Sequence, residues 1–311
     1  MKKNFLIILL FSCSIAFTQK KNSLTKAETD QLITQISTNL EQNYFDSKKA
    51  KALNNFLKKK LKKDEFYNLP ADSLTKKLTL LLRNQTNDIH FYIGRLIKPE
   101  VQQDPNKKLP KQNFNGGFTE VKILENNIGY IKWDKCIADD DAFKKIKSAL
   151  VFLEGVDKLI IDISENPGGD GRSGGFINQH LYEDPSYQSL LMKKCVGEEN
   201  WYQSEVAYNY SDAPKFFNIP LYIITSKNTG SASEYFAFTA QEMQRATILG
   251  KTTAGAGNPV TMVTMPGYFM YVPVCEIKTY DGKSIEAKGV VPDVELISDD
   301  WLNETLDYVN K

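Results

Sequence analysis

The chain has few of the residues that usually hold metals: 2 histidines and 4 cysteines among 311 residues, with no C-x-x-C pair. The common structural zinc patterns are therefore excluded. Neither charge sign dominates, with 39 Lys and Arg against 38 Asp and Glu and a formal net charge of +1. No global basic field points to a nucleic-acid partner. The G-x-x-x-x-G-K-[ST] phosphate loop is missing, and no cofactor or metal is expected. The long apolar run of a membrane helix is also missing. The only candidate, "MKKNFLIILLFSCSIAF" at the start, is short for a span. Its basic start and apolar core read as a secretory signal over 1–18, cleaved near Ala16-Phe17-Thr18. "LFSC" ending at Cys13 also resembles a lipoprotein processing site, so attachment to a membrane through a lipidated Cys13 stays open. Either way the mature protein is expected to be exported, periplasmic or extracellular. Three cysteines then remain, Cys136, Cys195 and Cys275; one disulfide with a free thiol and three free thiols are both open.

What is present is an ordinary globular composition, 41% hydrophobic and 25% charged. Apolar residues recur at helical spacing in "AETDQLITQISTNLEQNYF", "AKALNNFLKKKL" and "DSLTKKLTLLLRN", so 24–94 reads as a small helical subdomain that ends in an extended "NDIHFYIG". The lysines of 48–63 read as the solvated face of one of these helices. Residues 95–115, rich in Pro, Lys, Gln and Asn, read as a linker. From 116 to 298 strands alternate with helices. "FTEVKIL" and "NIGYIKW" suggest a hairpin, "DDDAFKKIKSALVFLEG" a helix, "DKLIIDIS" and "IPLYIITS" buried strands, and "GFINQHLYE" a helix. A last helix falls in 299–311. The expected fold class is α/β (α+β).

Two junctions share one design. "LIIDIS" runs into "ENPGGDG", and "LYIITS" runs into "KNTGSASE", each a strand ending in a glycine-bearing turn that opens a helix. Backbone N–H groups in such turns can hold an anion. Ser231 with Glu234 three residues on matches a helix capping box, and it also matches a nucleophile presented on a strand-to-helix turn. A nucleophilic serine needs a base, and the chain offers only His90 and His180. His180, in "INQHLY", reads as structural.

"GYIKW", "LIIDISENPGG", "YIITSKNTGSASEYFAFTAQEMQRATILGKTTAGAG" and "IEAKGVVPDVEL" together resemble, in order and spacing, the tail-specific (C-terminal processing) serine peptidases. That family includes the tricorn protease core and the interphotoreceptor retinoid-binding modules. The resemblance covers roughly residues 25–298. It implies a crotonase-like ββα core, acyl-enzyme hydrolysis of a polypeptide substrate, and no cofactor. It makes Ser231 the nucleophile, with the backbone N–H of Ala232 and of Gly168 or Gly169 as oxyanion donors. The branch that uses a lysine base would carry it at Ala256, and Lys251 falls in the wrong element. The tricorn-like branch implies His90 as base and Glu286 as its orienting carboxylate, with Asp88 as a second possible contact. Ser164 stands where the family has Arg, and Ile89 where the tricorn-like branch has Ser before the histidine. No regulatory peptide-binding domain is inserted in the linker. Two alternatives use the same scaffold: a non-catalytic module for apolar ligands or peptides, and a small-molecule esterase or amidase.

Overall fold

The computed structural model describes residues 23–96, 115–204, 210–298 and 300–311. The signal segment, Cys13 and nearly all of the linker lie outside these residues. The N-terminal layer has three helices, α1 (Lys26–Asn43), α2 (Ser47–Leu61) and α3 (Ala71–Thr86), followed by strand β1 (Tyr92–Arg95). Their starts follow from local chemistry. Thr25 and Glu28 form a capping box on α1, and the Asp46 carboxylate accepts from Lys49 N–H at the start of α2. Each helix buries a stripe at the spacing of one face, such as Leu74, Leu78 and Leu82 on α3. The lysines of α2 face solvent, as their spacing predicts.

After residue 115 the chain runs β2 (Phe118–Leu124), β3 (Ile128–Trp133), α4 (Asp140–Phe152), β4 (Lys158–Asp162), α5 (Arg172–Asn178), β5 (Leu191–Cys195), β6 (Tyr202–Gln203), β7 (Leu221–Thr225), α6 (Ala232–Glu242), β8 (Thr247–Gly250), β9 (Val260–Met265), β10 (Tyr268–Pro273), β11 (Cys275–Thr279), β12 (Val294–Glu295) and α7 (Trp301–Val309). Six strands form the central sheet in the order β12-β8-β7-β4-β3-β2, parallel except for the β2–β3 hairpin. Successive side chains of a strand point to opposite faces, and the two faces sort into two cores. Leu159, Ile161, Leu221 and Ile223 pack with α4, α5 and α6; Tyr130, Ile160, Ile224 and Leu249 pack on the other face with α7. The chain therefore has the mixed α/β class expected of it.

Two smaller antiparallel sheets complete the molecule, β1-β10-β9 and β11-β5-β6. The first closes the helical layer: Ile93, Met265, Met270 and Val272 share one buried cluster with Leu32, Leu57 and Leu78. In the second, Cys195 and Cys275 stand opposite each other in register and form a disulfide, leaving Cys136 as a buried free thiol. The predicted helix over 175–183 is shifted. It starts at Arg172, where Asp170 carbonyl and carboxylate oxygens accept from Ser173 Oγ and Arg172 N–H, and it ends before His180.

Candidate functional site

β4 and β7 are neighbouring parallel strands, so their C-terminal ends lie side by side and the two glycine turns meet there. Hydrogen bonds stitch them together. Ser226 Oγ donates to Ser164 O (2.5 Å), Thr229 Oγ1 to Ile163 O (2.8 Å), and Ser233 Oγ to Asn166 O (2.7 Å), which also accepts from Gly230 N–H (2.9 Å). Asn166 is fully buried and braces its own turn, its amide donating to Trp133 O and its Oδ1 accepting from Gly168 N–H at 2.9 Å. Gly168 cannot carry a side chain. At φ +97° an added Cβ would stand 2.5 Å from Gly230 O and 2.8 Å from Ser231 Cβ.

Ser231 has φ 55° and ψ −120°. A serine that only caps a helix sits in the extended region, so this backbone is not that of an ordinary cap. Strain of this kind, about 1–3 kcal/mol, survives only where surroundings enforce it. The enforcing group is Glu234, which is fully buried. Its carboxylate accepts from Ser231 N–H (2.8 Å), Thr253 Oγ1 (2.5 Å), Gly255 N–H (2.7 Å) and Ala256 N–H (2.8 Å). The glutamate that the sequence assigns to a cap therefore also fastens the 253–256 loop to the serine turn.

The two glycine N–H groups that the resemblance offers as oxyanion donors are not equivalent. The N–H of Gly168 is committed to Asn166, whereas that of Gly169 has no partner among the described residues. Ala232, the first residue of α6, has no intrahelical acceptor for its N–H. Ser231, Ala232 and Gly169 all line one cleft of about 360 Å³. Among the described residues no charged side chain lines it, and Tyr235, Phe236, Leu191 and Ile277 supply much of the wall.

His90 arrives from the helical layer. Asn87 ends α3 in the left-handed conformation (φ 57°) and turns the chain back. Arg83 Nε donates to Phe91 O (2.7 Å), and Phe91 is fully buried in the helical core. His90 is held between these anchors. Its Nδ1 lies 3.0 Å from Asp88 Oδ1 and 3.9 Å from Glu286 Oε2; its Nε2 is buried without a hydrogen-bond partner among the described residues, so no hydrogen bond joins it to Ser231. In the free state of a hydrolase such a bond is often long and tightens only on substrate binding. Glu286 Oε2 accepts from Gly257 and Asn258 N–H, both at 2.8 Å. Gly257 permits this approach, since a Cβ there would be 2.9 Å from Ile285 Cγ1 and 3.0 Å from Glu286 N.

The cluster is electrostatically lopsided. Burial pushes the Glu286 carboxyl up, the Asp88 charge adds to it, and together they outweigh His90 and the backbone donors to bring it to about 7. Burial would also raise Asp88, but hydrogen bonds from His90 and Asn258 hold it below the ordinary carboxylate value. Burial opposes a charge on His90, yet Asp88, Glu286 and Glu234 raise its pKa. Asp88, His90 and Glu286 bring ligand atoms within 4.8 Å of one another, close enough in principle for a metal.

Sequence reasoning missed Asn166 and Asn258, which brace the two halves of the site. Asn166 belongs to the Asn-Pro-Gly-Gly turn that carries the resemblance, whereas Asn258 has no signal in the sequence beyond its place beside Gly257.

A carboxyl-terminal-processing protease from Synechocystis sp. is 28% identical over 170 residues, 54% of this chain and 37% of that protein. Carboxy-terminal processing protease CtpB of Bacillus subtilis is 26% identical over 190 residues, 60% of this chain and 37% of its own. The chain thus spans well under half the length of these relatives. Among solved structures, a Parabacteroides merdae protein described as a peptidase superimposes with a TM-score of 0.64 at 15% identity, covering 91% of this chain and 97% of that one. A Streptococcus agalactiae lipoprotein gives 0.61 at 17%, covering 91% and 96%, so both share the fold. The sequence model of peptidase family S41 matches residues 127–296, from the start of β3 to the end of β12 and through both glycine turns, and this chain belongs to that family.

Proposed function

We propose that the chain is an exported serine peptidase in which Ser231 is the nucleophile, His90 the base, and the N–H groups of Gly169 and Ala232 the oxyanion donors. The backbone of Ser231 carries this reading, strained at the mouth of a cleft beside the N–H groups of Gly169 and Ala232, which have no acceptor among the described residues. Ser231 Oγ attacks the peptide carbonyl carbon while His90 Nε2 takes its proton. The oxyanion rests on Gly169 and Ala232. The C–N bond breaks, the amine leaves with the proton from His90, and the acyl group stays on Ser231. A water then loses its proton to His90 and attacks the ester; the C–O bond breaks and the proton returns to Ser231. Asp88, hydrogen-bonded to Nδ1, supplies the negative charge that a protonated His90 needs. The substrate is a polypeptide, and an apolar side chain suits the wall that Tyr235, Phe236, Leu191 and Ile277 form beside Ser231. Export is supported by the apolar leader and by the Cys195–Cys275 disulfide, a bond that persists in oxidising compartments.

The test is fluorophosphonate labelling of the mature protein. Modification at Ser231 is expected, and it should vanish in Ser231→Ala and His90→Ala. A wild-type protein that stays unlabelled would sink the proposal. The mass of the protein recovered from the exporting cell decides between leader cleavage and retention at a lipidated Cys13.

A further inference from the structure

Two carboxylates flank His90, and they do different things. We infer that Asp88 is the positioning carboxylate of His90, and that Glu286 instead fastens Gly257 and Asn258 of the neighbouring loop against the site. This rests on the reading of Ser231 and His90 as nucleophile and base.

Distance separates the two acids first. Asp88 Oδ1 is 3.0 Å from His90 Nδ1, a hydrogen bond; Glu286 Oε2 is 3.9 Å away, beyond one. Asp88 Oδ1 also accepts from the His90 backbone N–H at 2.9 Å. One oxygen thus grips both the main chain and the ring, which fixes the ring's orientation and puts the Nδ1 proton toward Asp88. The remaining nitrogen, Nε2, is left as the acceptor a base requires. The second oxygen of Asp88 is pinned as well, because Asn258 Nδ2 donates to Oδ2 at 3.1 Å. Asp88 is 2% exposed, so these bonds are not shared with bulk water.

Glu286 is committed elsewhere. Its Oε2 accepts from Gly257 and Asn258 N–H, and its Oε1 has no partner among the described residues. Those two residues join the cleft to the His90 cluster: Gly257 lines the cleft beside Ser231, and Asn258 reaches Asp88. Glu286 therefore sets where the loop lies, and through Asn258 it steadies Asp88. Electrostatics agree with this division. Asp88 is held ionised by its hydrogen bonds, while Glu286, raised to about 7, is largely protonated at mildly acid pH and a weak counter-charge for an imidazolium there.

The scarcity of histidine makes the test direct, since only His90 and His180 contribute imidazole signals. Imidazole proton and nitrogen NMR of the mature chain is compared for wild type, Asp88→Asn, Glu286→Gln and Asn258→Ala. Fluorophosphonate labelling rates are measured on the same samples. The expected result is a protected His90 Nδ1–H signal that Asp88→Asn removes, together with a fall in the His90 titration midpoint, and that Glu286→Gln retains. Labelling should fall about 10³–10⁴-fold in Asp88→Asn, as when an orienting aspartate is amidated in other triads, and less than about tenfold in Glu286→Gln. Asn258→Ala leaves Asp88 intact but frees Oδ2, and should weaken the Nδ1–H signal. It serves as the second variant if Asp88→Asn does not fold, and an unchanged signal in it counts against the inference. Retention of the signal in Asp88→Asn with its loss in Glu286→Gln overturns the assignment. An unlabelled wild type overturns the peptidase reading alone, and the NMR comparison still decides between the two acids.

Discussion

The two histidines, His180 fully buried and His90 partly so, are pushed in opposite directions by their surroundings. His90 sits among Asp88, Glu286 and Glu234, and its pKa is raised although burial opposes it. His180 is fully buried just beyond α5, with Nδ1 3.1 Å from Pro214 O and 3.4 Å from Lys215 Nζ, and burial and the Lys215 charge bring it down to about 4. Desolvation is common to both, so the neighbours decide. A histidine that must hold a proton during a reaction needs carboxylates within reach. A histidine that only fills a core is kept neutral.

The largest effects should fall on the His90 side. Ser231→Ala and His90→Ala should each lower the hydrolysis rate by about 10⁴–10⁶, and the double variant should cost no more than either alone, because the pair acts as a unit. Additive losses, read from single-turnover rates, would break the comparison. Gly168→Ala comes next. Its Cβ would collide with Gly230 O, and the expected outcome is a loss of about 1–3 kcal/mol in denaturant unfolding and about 10² in rate through displacement of the oxyanion donors.

The pH dependence of stability sharpens the contrast. Glu286 binds its proton more tightly folded than unfolded, so its contribution falls as pH rises from about 4.5 to about 7. His90, raised above 6.5, acts in the same direction as pH rises through neutrality. His180, lowered from 6.5 to about 4, must shed a proton to fold, so its contribution grows as pH rises from about 4 to 6.5. Thermal melts across pH should show wild type minus Glu286→Gln falling with pH, and wild type minus His180→Gln rising. Two slopes of the same sign would mean that the neighbours do not set these sites. The smallest effect is kinetic: His180→Gln should leave the labelling rate within about twofold while costing about 1–3 kcal/mol of stability.

How far the site was legible follows from where its parts lie in the chain. The serine side is a run of contiguous residues on two strand-to-helix junctions, and local pattern exposes such runs. The base side is assembled from residues 88–90, 258 and 286, and the sequence supports His90 and Glu286 only through resemblance. Asp88 was visible as a contact, but its rank above Glu286 depends on 3.0 against 3.9 Å. Glu234 was visible as a cap. Its bonds to Thr253, Gly255 and Ala256 required the loop to fold back.

By itself the sequence determined the helices of the N-terminal layer, the strands of the central sheet and the serine turn, because these depend on period, caps and glycine within a dozen residues. Tertiary structure decided the rest. Strands β9 and β10, far along the chain from α1–α3, supply the sheet that closes the helical core. Strand register, not cysteine count, chose Cys195 and Cys275 over Cys136. The acid that grips His90 was fixed by packing, since only the folded chain sets which buried carboxylate comes within hydrogen-bond distance and which is drawn off by backbone donors.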